Sequence, residues 1–132
     1  MTRRVVLDAS VGVKWIRDEG GTAEALGLLS AHGIGELEIV VASLFCYEYL
    51  AVARRERVPG RSERAWQVIR GSALTIVEID DALVVAAIEE SEALDCSFYD
   101  AVAPALARLL GAQLYSADHR AHAAVPGVVL VG

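Results

Sequence analysis

The stretch SFYDAVAPALARLLGAQLYSADHR, residues 97–120, decides the fold that the sequence predicts. Its apolar periodicity predicts a helix over 98–110, then a glycine turn and a short strand over 112–116. Asp100 lies in the first turn of that helix, and Asp118 lies just beyond the carboxyl end of the strand. In an open α/β sheet, ligands bind in the crevice outside the carboxyl ends of the strands. We therefore expect Asp118 at a ligand-binding edge, which Asp100 can join only through long-range folding.

Strands alternate with helices along the rest of the chain. Short apolar runs predict further strands over 4–8, 38–42, 74–79 and 128–131. Helical patterns that start at capping residues and stop at glycine or proline cover 11–16, 22–31, 44–57, 62–71 and 81–94. Ser10, Ser43 and Asp80 are the predicted N-caps of three of these helices. This alternation predicts a single domain over 1–132, a three-layer α/β/α sandwich with a mostly parallel central sheet.

Composition limits the class of protein. The chain is 55% hydrophobic and 23% charged, as expected of a soluble globular domain. No apolar run approaches the roughly 18 residues that a membrane-spanning helix needs. The N-terminal segment MTRRVVLDAS reaches an aspartate after three apolar residues, so it predicts a first strand rather than a signal peptide. Cys46 and Cys96 lack the spacing of a zinc site or a disulfide framework. We therefore expect a cytoplasmic location and no membrane partner.

The basic residues are unevenly distributed. A formal net charge of −6 argues against nucleic-acid binding by bulk electrostatics. Six of the twelve basic residues nevertheless fall within 54–70, namely Arg54, Arg55, Arg57, Arg61, Arg64 and Arg70. The planar guanidinium group suits phosphate recognition. The alternative is a solvated helix surface with local ion pairs to Glu56 and Glu63.

Four carboxylates stand out by their context: Asp8, Glu48, Asp100 and Asp118. Asp8 ends the first strand, and Glu48 lies in the almost wholly apolar helical stretch LFCYEYLAVA. Four acids at one sheet edge would repel one another unless cations neutralise them, and Mg²⁺ and Mn²⁺ prefer oxygen ligands. Such a cluster suits metal-assisted hydrolysis of phosphodiesters.

Each acid also has an ordinary structural explanation. Asp8 or Ser10 can cap the helix that follows, and Asp118 can cap the short helix that contains His119 and His122. Asp100 stands third after Ser97, which is the spacing of a capping box. Glu48 can snorkel from its helix to solvent or form an ion pair with Arg55.

The motifs DASVGVKW at 8–15, Glu48 in its helix, YDAVAPALA at 99–107 and YSADHR at 115–120 resemble the PIN domain family. Within that family they resemble the VapC-type toxins of prokaryotic toxin–antitoxin pairs. The resemblance covers essentially the whole chain. It implies a Mg²⁺- or Mn²⁺-dependent ribonuclease whose metal-binding quartet is Asp8, Glu48, Asp100 and Asp118. It also implies supporting hydroxyl groups, on Ser10 after the first aspartate and on Ser116 where the family more often has threonine.

The same resemblance implies partners: an RNA substrate, a cognate antitoxin protein and a second copy of the chain in a homodimer. Lys14, Arg54 and Arg55 are candidates for steering RNA, and Trp15 is a candidate for base stacking or for the core. Three further features of the sequence bear on this site. Pro104 lies inside the 98–110 helix, where it removes one helical hydrogen bond and can kink the helix. Asp95 is a possible fifth acid, and His119 with His122 is not expected to form a transition-metal site.

Two other functions stay open at this point. One is a non-catalytic PIN-like module that binds a protein partner, although all four acids are present. The other is a nuclease that acts on DNA or on structured nucleic acid, which nothing in the sequence excludes.

Overall fold

The computed structural model describes residues 2–132, which form a five-stranded sheet flanked by helices. The strands are β1 (Arg3–Leu7), β2 (Leu37–Ala42), β3 (Thr75–Val77), β4 (Gln113–Ser116) and β5 (Val129–Leu130). The helices are α1 (Ala9–Gly12), α2 (Thr22–Gly33), α3 (Ser43–Arg55), α4 (Arg61–Ser72), α5 (Asp81–Leu94), α6 (Phe98–Leu110) and α7 (His119–His122). A 3₁₀ turn over Val13–Trp15 follows α1. Within the described chain, no helix is both long and apolar enough to span a membrane.

All strand pairs in the sheet are parallel, and the strand order is β3-β2-β1-β4-β5. The chain leaves the central strand β1 toward β2 and β3, and later returns on the other side to form β4 and β5. The order therefore reverses between β1 and β4, where Leu7 lies opposite Tyr115. A reversal of this kind opens a crevice at the carboxyl ends of the two strands. The predicted three-layer architecture is confirmed, and the sheet is parallel throughout.

Helices cover both faces of the sheet. Val5 and Leu7 of β1 pack in one core cluster with residues of α1 to α4, whereas Val6 packs in a second cluster with α5 and α6. Val5, Val6 and Leu7 are all almost completely buried, which is why β1 is apolar at consecutive positions instead of alternating. The strand therefore holds the residue that follows it, Asp8, in a well-fixed position.

Several predicted boundaries are confirmed, and two predicted caps, Ser10 and Ser43, are wrong. The helices over 81–94 and 98–110 have the bounds that the sequence predicts. Ser43 does not cap α3, because β2 runs directly into the helix and Ala42 occupies the N-cap position without a side-chain hydrogen bond. The third strand is shorter than predicted, covering only Thr75–Val77. It pairs with β2 alone at the edge of the sheet, so fewer hydrogen bonds extend it.

Candidate functional site

The four carboxylates that stand out in the sequence line a single cavity at the carboxyl edge of the sheet. Asp8 directly follows β1, and Asp118 lies two residues beyond β4, the strand beside it. Asp100 lies in the first turn of α6, and Glu48 lies in the second turn of α3. The cavity has a volume of about 280 Å³, and its polar lining consists of Asp8, Ser10, Glu48, Arg55, Asp100 and Asp118.

Two of these acids also cap helices. Oδ2 of Asp8 accepts hydrogen bonds from Ser10 N at 3.1 Å and from Ser10 Oγ at 2.6 Å. Asp8 is therefore the N-cap of α1, and the predicted cap Ser10 is instead a helix residue that hydrogen-bonds the cap. Oδ1 of Asp118 accepts from Ala121 N at 3.1 Å and caps α7. Capping engages one oxygen of each carboxylate and fixes the orientation of the side chain. Because the other oxygen stays free, capping is compatible with a role as metal ligand.

Two serine hydroxyls connect the strand ends behind the carboxylates. Ser10 Oγ accepts a hydrogen bond from Ala117 N at 2.9 Å, and Ser116 Oγ accepts one from Asp118 N at 3.0 Å. The two hydroxyl oxygens are 3.5 Å apart. Ser10 thus contacts the side chain of Asp8, and Ser116 contacts the backbone of Asp118. These contacts give Ser10 and Ser116 a physical basis for the supporting roles that the resemblance implies.

His122 extends this network to the third aspartate, and sequence reasoning did not find this contact. The side chain is completely buried. Its Nδ1 lies 2.7 Å from Ser116 Oγ, and its Nε2 lies 2.7 Å from the backbone carbonyl oxygen of Asp100. His119 points elsewhere, with its Nε2 3.1 Å from Gly132 O. The available signal was a histidine at an apolar helix position, which suggests a hydrogen-bonded core residue.

The site concentrates negative charge. Burial first, and then the nearby charges of Asp8 and Asp100, together raise the pKa of Glu48 from 4.5 to about 7. No ion pair among the described residues joins Glu48 to Arg55, although both line the cavity, so the predicted ion-pair explanation of Glu48 is wrong. Among residues 2–132, no basic side chain forms an ion pair with any of the four carboxylates.

Carboxylate oxygens dominate the polar lining of the cavity. Within residues 2–132, no three carboxylate, histidine or cysteine groups come together closely enough to form a closed metal cage. The side chains that line the cavity do offer carboxylate oxygens from four separate segments. Mg²⁺ keeps several waters and uses few carboxylates, so it does not need a closed protein cage. In the chemistry of its donors and in its uncompensated charge, the site fits a hard divalent cation.

The basic candidates separate into different environments. Arg55 is exposed and lines the acidic cavity, whereas Arg54 is exposed but lies outside its lining. No ion pair among the described residues involves either one. The Lys14 side chain is buried, and its Nζ donates to Gly20 O at 2.5 Å and lies 3.3 Å from Glu19 Oε1. This burial does not favour the RNA contact predicted for Lys14, which stays a prediction.

Two further candidates lie away from the cavity lining. Trp15 packs against Phe45 and Tyr49 at centroid distances of 5.8 and 6.0 Å, and its Nε1 donates to Ala25 O at 3.0 Å. These contacts favour the core interpretation of Trp15 over base stacking. Asp95 is exposed at the end of α5 and does not line the cavity.

A sequence model described as the PIN domain matches residues 5–127. A comparison with curated protein sequences gave no match. Among solved structures, the chain is similar to a toxin–antitoxin complex from Klebsiella pneumoniae, with 18% identity and a TM-score of 0.75 over 95% of each chain. It is also similar to Mycobacterium tuberculosis VapC20, a toxin that cleaves the sarcin–ricin loop, with 17% identity and a TM-score of 0.73 over 91% of this chain and 94% of that one.

A third similar structure is VapBC2 from Rickettsia felis bound to a DNA fragment from its promoter, with 14% identity and a TM-score of 0.72 over 96% of each chain. At these identities the likeness shows a shared fold. It also shows that the fold spans nearly the whole length of both chains in each comparison.

Proposed function

The chain belongs to the PIN domain family, and from this premise we propose that it is a metal-dependent endoribonuclease, the toxin of a type II toxin–antitoxin pair. The observation that supports this most strongly is that Asp8, Glu48, Asp100 and Asp118 line one cavity at the point where the strand order reverses. The raised pKa of Glu48 supports a site that gains stability from a bound cation. We further propose that residues 1–132 form a single catalytic domain.

We propose Mg²⁺, or Mn²⁺ in its place, as the cofactor, held by the four carboxylates. When bound, such an ion supplies charge neutralisation at the scissile phosphate and makes water a better nucleophile. In the proposed reaction a water oxygen adds to phosphorus in line, the bond from phosphorus to the 3′ oxygen breaks, and a proton from the water passes to that 3′ oxygen. The products are a 5′-phosphate and a 3′-hydroxyl.

The chain's own residues have separate tasks in this proposal. Asp8 and Asp118 are held by the capping hydrogen bonds of α1 and α7, so their free oxygens face the cavity in a fixed orientation. Ser10 and Ser116 keep the two strand ends in register behind them. Arg55 is the basic side chain at the cavity and binds a substrate phosphate adjacent to the one that reacts. Arg54 contributes weaker, longer-range attraction.

The proposed partners follow from the family and from the surface of the molecule. Two of the similar structures are toxins together with their antitoxins, and we propose a cognate antitoxin for this chain as well. Helix α5 exposes Val85 and Ile88, which are three residues apart and lie on the same side of the helix. Such an exposed apolar pair supports a protein contact, and we propose that the chain forms a homodimer. We expect the toxin and its antitoxin to act in the cytoplasm, where the proposed RNA substrate is.

The test is cleavage of a mixed, structured RNA pool by the purified protein, with Mg²⁺, with Mn²⁺ and with EDTA. Asp100→Asn is assayed in parallel to exclude a contaminating nuclease, and a matched single-stranded DNA pool tests the alternative substrate. We expect cutting of RNA that requires the metal and that the variant lacks. Cutting of DNA alone would replace the ribonuclease by a deoxyribonuclease. Absence of metal binding in calorimetry would contradict the quartet and favour a non-catalytic binding module.

A further inference from the structure

We propose that His122 is a positioning residue for Asp100 and that it acts by replacing the helical hydrogen bond that Pro104 removes. This inference rests on the proposed function, because it concerns the geometry of the same carboxylate site. It is carried by the contacts of a buried histidine that the proposed chemistry does not otherwise use.

The first step concerns the backbone of α6. In an α-helix, the N–H of residue 104 donates to the carbonyl of residue 100. Proline has no N–H, so Pro104 cannot supply this bond to Asp100. The sequence suggests a kink at this position, but α6 continues from Phe98 to Leu110. The consequence of the proline is thus a carbonyl at Asp100 that needs a donor from outside the helix, since unpaired buried backbone groups are costly.

The second step identifies that donor. His122 Nε2 lies 2.7 Å from the Asp100 carbonyl oxygen, which can only accept, so we assign a proton to Nε2. Ser116 Oγ already accepts from Asp118 N, which leaves its own hydroxyl proton to donate to His122 Nδ1 at 2.7 Å. The neutral ring with its proton on Nε2 satisfies every group in this chain of hydrogen bonds. His122 is completely buried, so water does not compete for either nitrogen.

The third step is the consequence for the site. The chain of hydrogen bonds runs from the backbone of Asp118 through Ser116 and His122 to the backbone of Asp100. It therefore ties the first turn of α6 to the carboxyl end of β4, which lie on either side of the rest of that helix. Partners behind metal ligands hold the ligands in the orientation that binding requires, and their loss commonly weakens metal affinity about 10- to 100-fold. His122 acts here through the backbone of a ligand and touches no substrate.

Because Pro104 creates the need for His122, the two residues should be energetically coupled, and a double-mutant cycle tests this. His122→Phe keeps a buried ring but removes both hydrogen bonds, and we expect the Tm to fall by about 5 °C or more. Pro104→Ala restores an N–H for the Asp100 carbonyl. We expect it to raise the Tm much more in the His122→Phe background than in the wild type. The matched control is His119→Phe on the same short helix, for which we expect no coupling to Pro104→Ala.

The second readout is Mn²⁺ affinity of the folded proteins, measured by calorimetry well below every Tm. We expect His122→Phe to weaken binding about tenfold or more, and Pro104→Ala to restore most of that loss in the double variant. If Pro104→Ala raised the Tm equally in the wild type and in His122→Phe, His122 would not replace the hydrogen bond that Pro104 removes, and this proposal would be overturned. Coupled Tm values with unchanged Mn²⁺ affinity would overturn the positioning role and leave a purely structural one. A wild type that binds no Mn²⁺ would overturn both the proposed function and this role.

Discussion

Replacing Glu48 by glutamine tests how the charge of the candidate site is balanced in the metal-free protein. The side chain is half-buried, and the carboxylates of Asp8, Asp100 and Asp118 line the same cavity. Arg55 is the basic side chain in the lining of that cavity. Glutamine keeps the size of the side chain and removes its ability to ionise. We expect the variant to be more stable than the wild type at neutral and alkaline pH.

The sign and the size follow from the raised pKa. Because the pKa of Glu48 is about 7 in the folded protein and 4.5 ordinarily, the folded state retains a proton that the unfolded chain releases. Stability of the wild type therefore falls as the pH rises from about 4.5 to about 7, and the full penalty is present above that range. The difference corresponds to about 3.4 kcal/mol at about 1.36 kcal/mol per pH unit. Solvent screening of this partly exposed group reduces the penalty, and we expect about 1 to 2 kcal/mol.

The assay is urea unfolding with EDTA at pH 5 and at pH 8, followed by the same titration with Mg²⁺. The advantage of the glutamine variant should be small at pH 5 and reach about 1 to 2 kcal/mol at pH 8. Mg²⁺ should stabilise the wild type more than the variant, because the ion neutralises the carboxylate that the variant lacks. Glu92→Gln, at an exposed position of α5, controls for the loss of one negative charge. The reasoning is refuted if the Glu48 variant gains no stability at pH 8, or gains as much at pH 5.

Three further substitutions test other features of the structure. Tyr49→Phe removes a buried hydroxyl that has no hydrogen-bond partner within residues 2–132, so urea unfolding should show no loss and up to about 1 kcal/mol of gain; a clear loss would reveal a missed partner. Gly12→Ala places a Cβ 2.5 Å from Cζ of Phe45 and should lower the free energy of unfolding by about 1 to 3 kcal/mol in the same assay. An unchanged free energy of unfolding would show that the Phe45 ring moves aside freely. Arg55→Gln should raise the KM for RNA and reduce the salt dependence of RNA binding. Arg57→Gln, outside the acidic cavity, should do neither. Equal effects of the two substitutions would contradict a specific contact between Arg55 and the RNA.

Local sequence patterns were sufficient for the long central elements. The helices over 81–94 and 98–110 are confirmed to the residue, because Asp80 and Ser97 cap them through their own side chains and a long amphipathic or apolar run follows. The consecutive apolar residues of β1 identified a strand buried on both faces, and the alternation of elements identified the parallel sheet. These signals depend on interactions between near neighbours, which the sequence displays directly.

Patterns were less informative where a neighbouring segment decides the outcome. Ser43 has the chemistry of a cap, but the pairing of β2 within the sheet extends to Ala42 and leaves Ser43 inside the helix. Lys14 looks like a surface cation in the sequence, but the chain folds the segment around Gly20 over its side chain. In both cases the competing interaction comes from another part of the chain.

The sequence alone determined the family resemblance, the order of the elements and the four acids, because each depends on residue type and local spacing. Only the tertiary structure decided that the acids line one cavity, since they come from four segments that the parallel sheet and its strand reversal bring together. It also decided the role of His122. A backbone carbonyl freed by Pro104 finds its donor 22 residues along the chain, and no local pattern records a hydrogen bond over that separation.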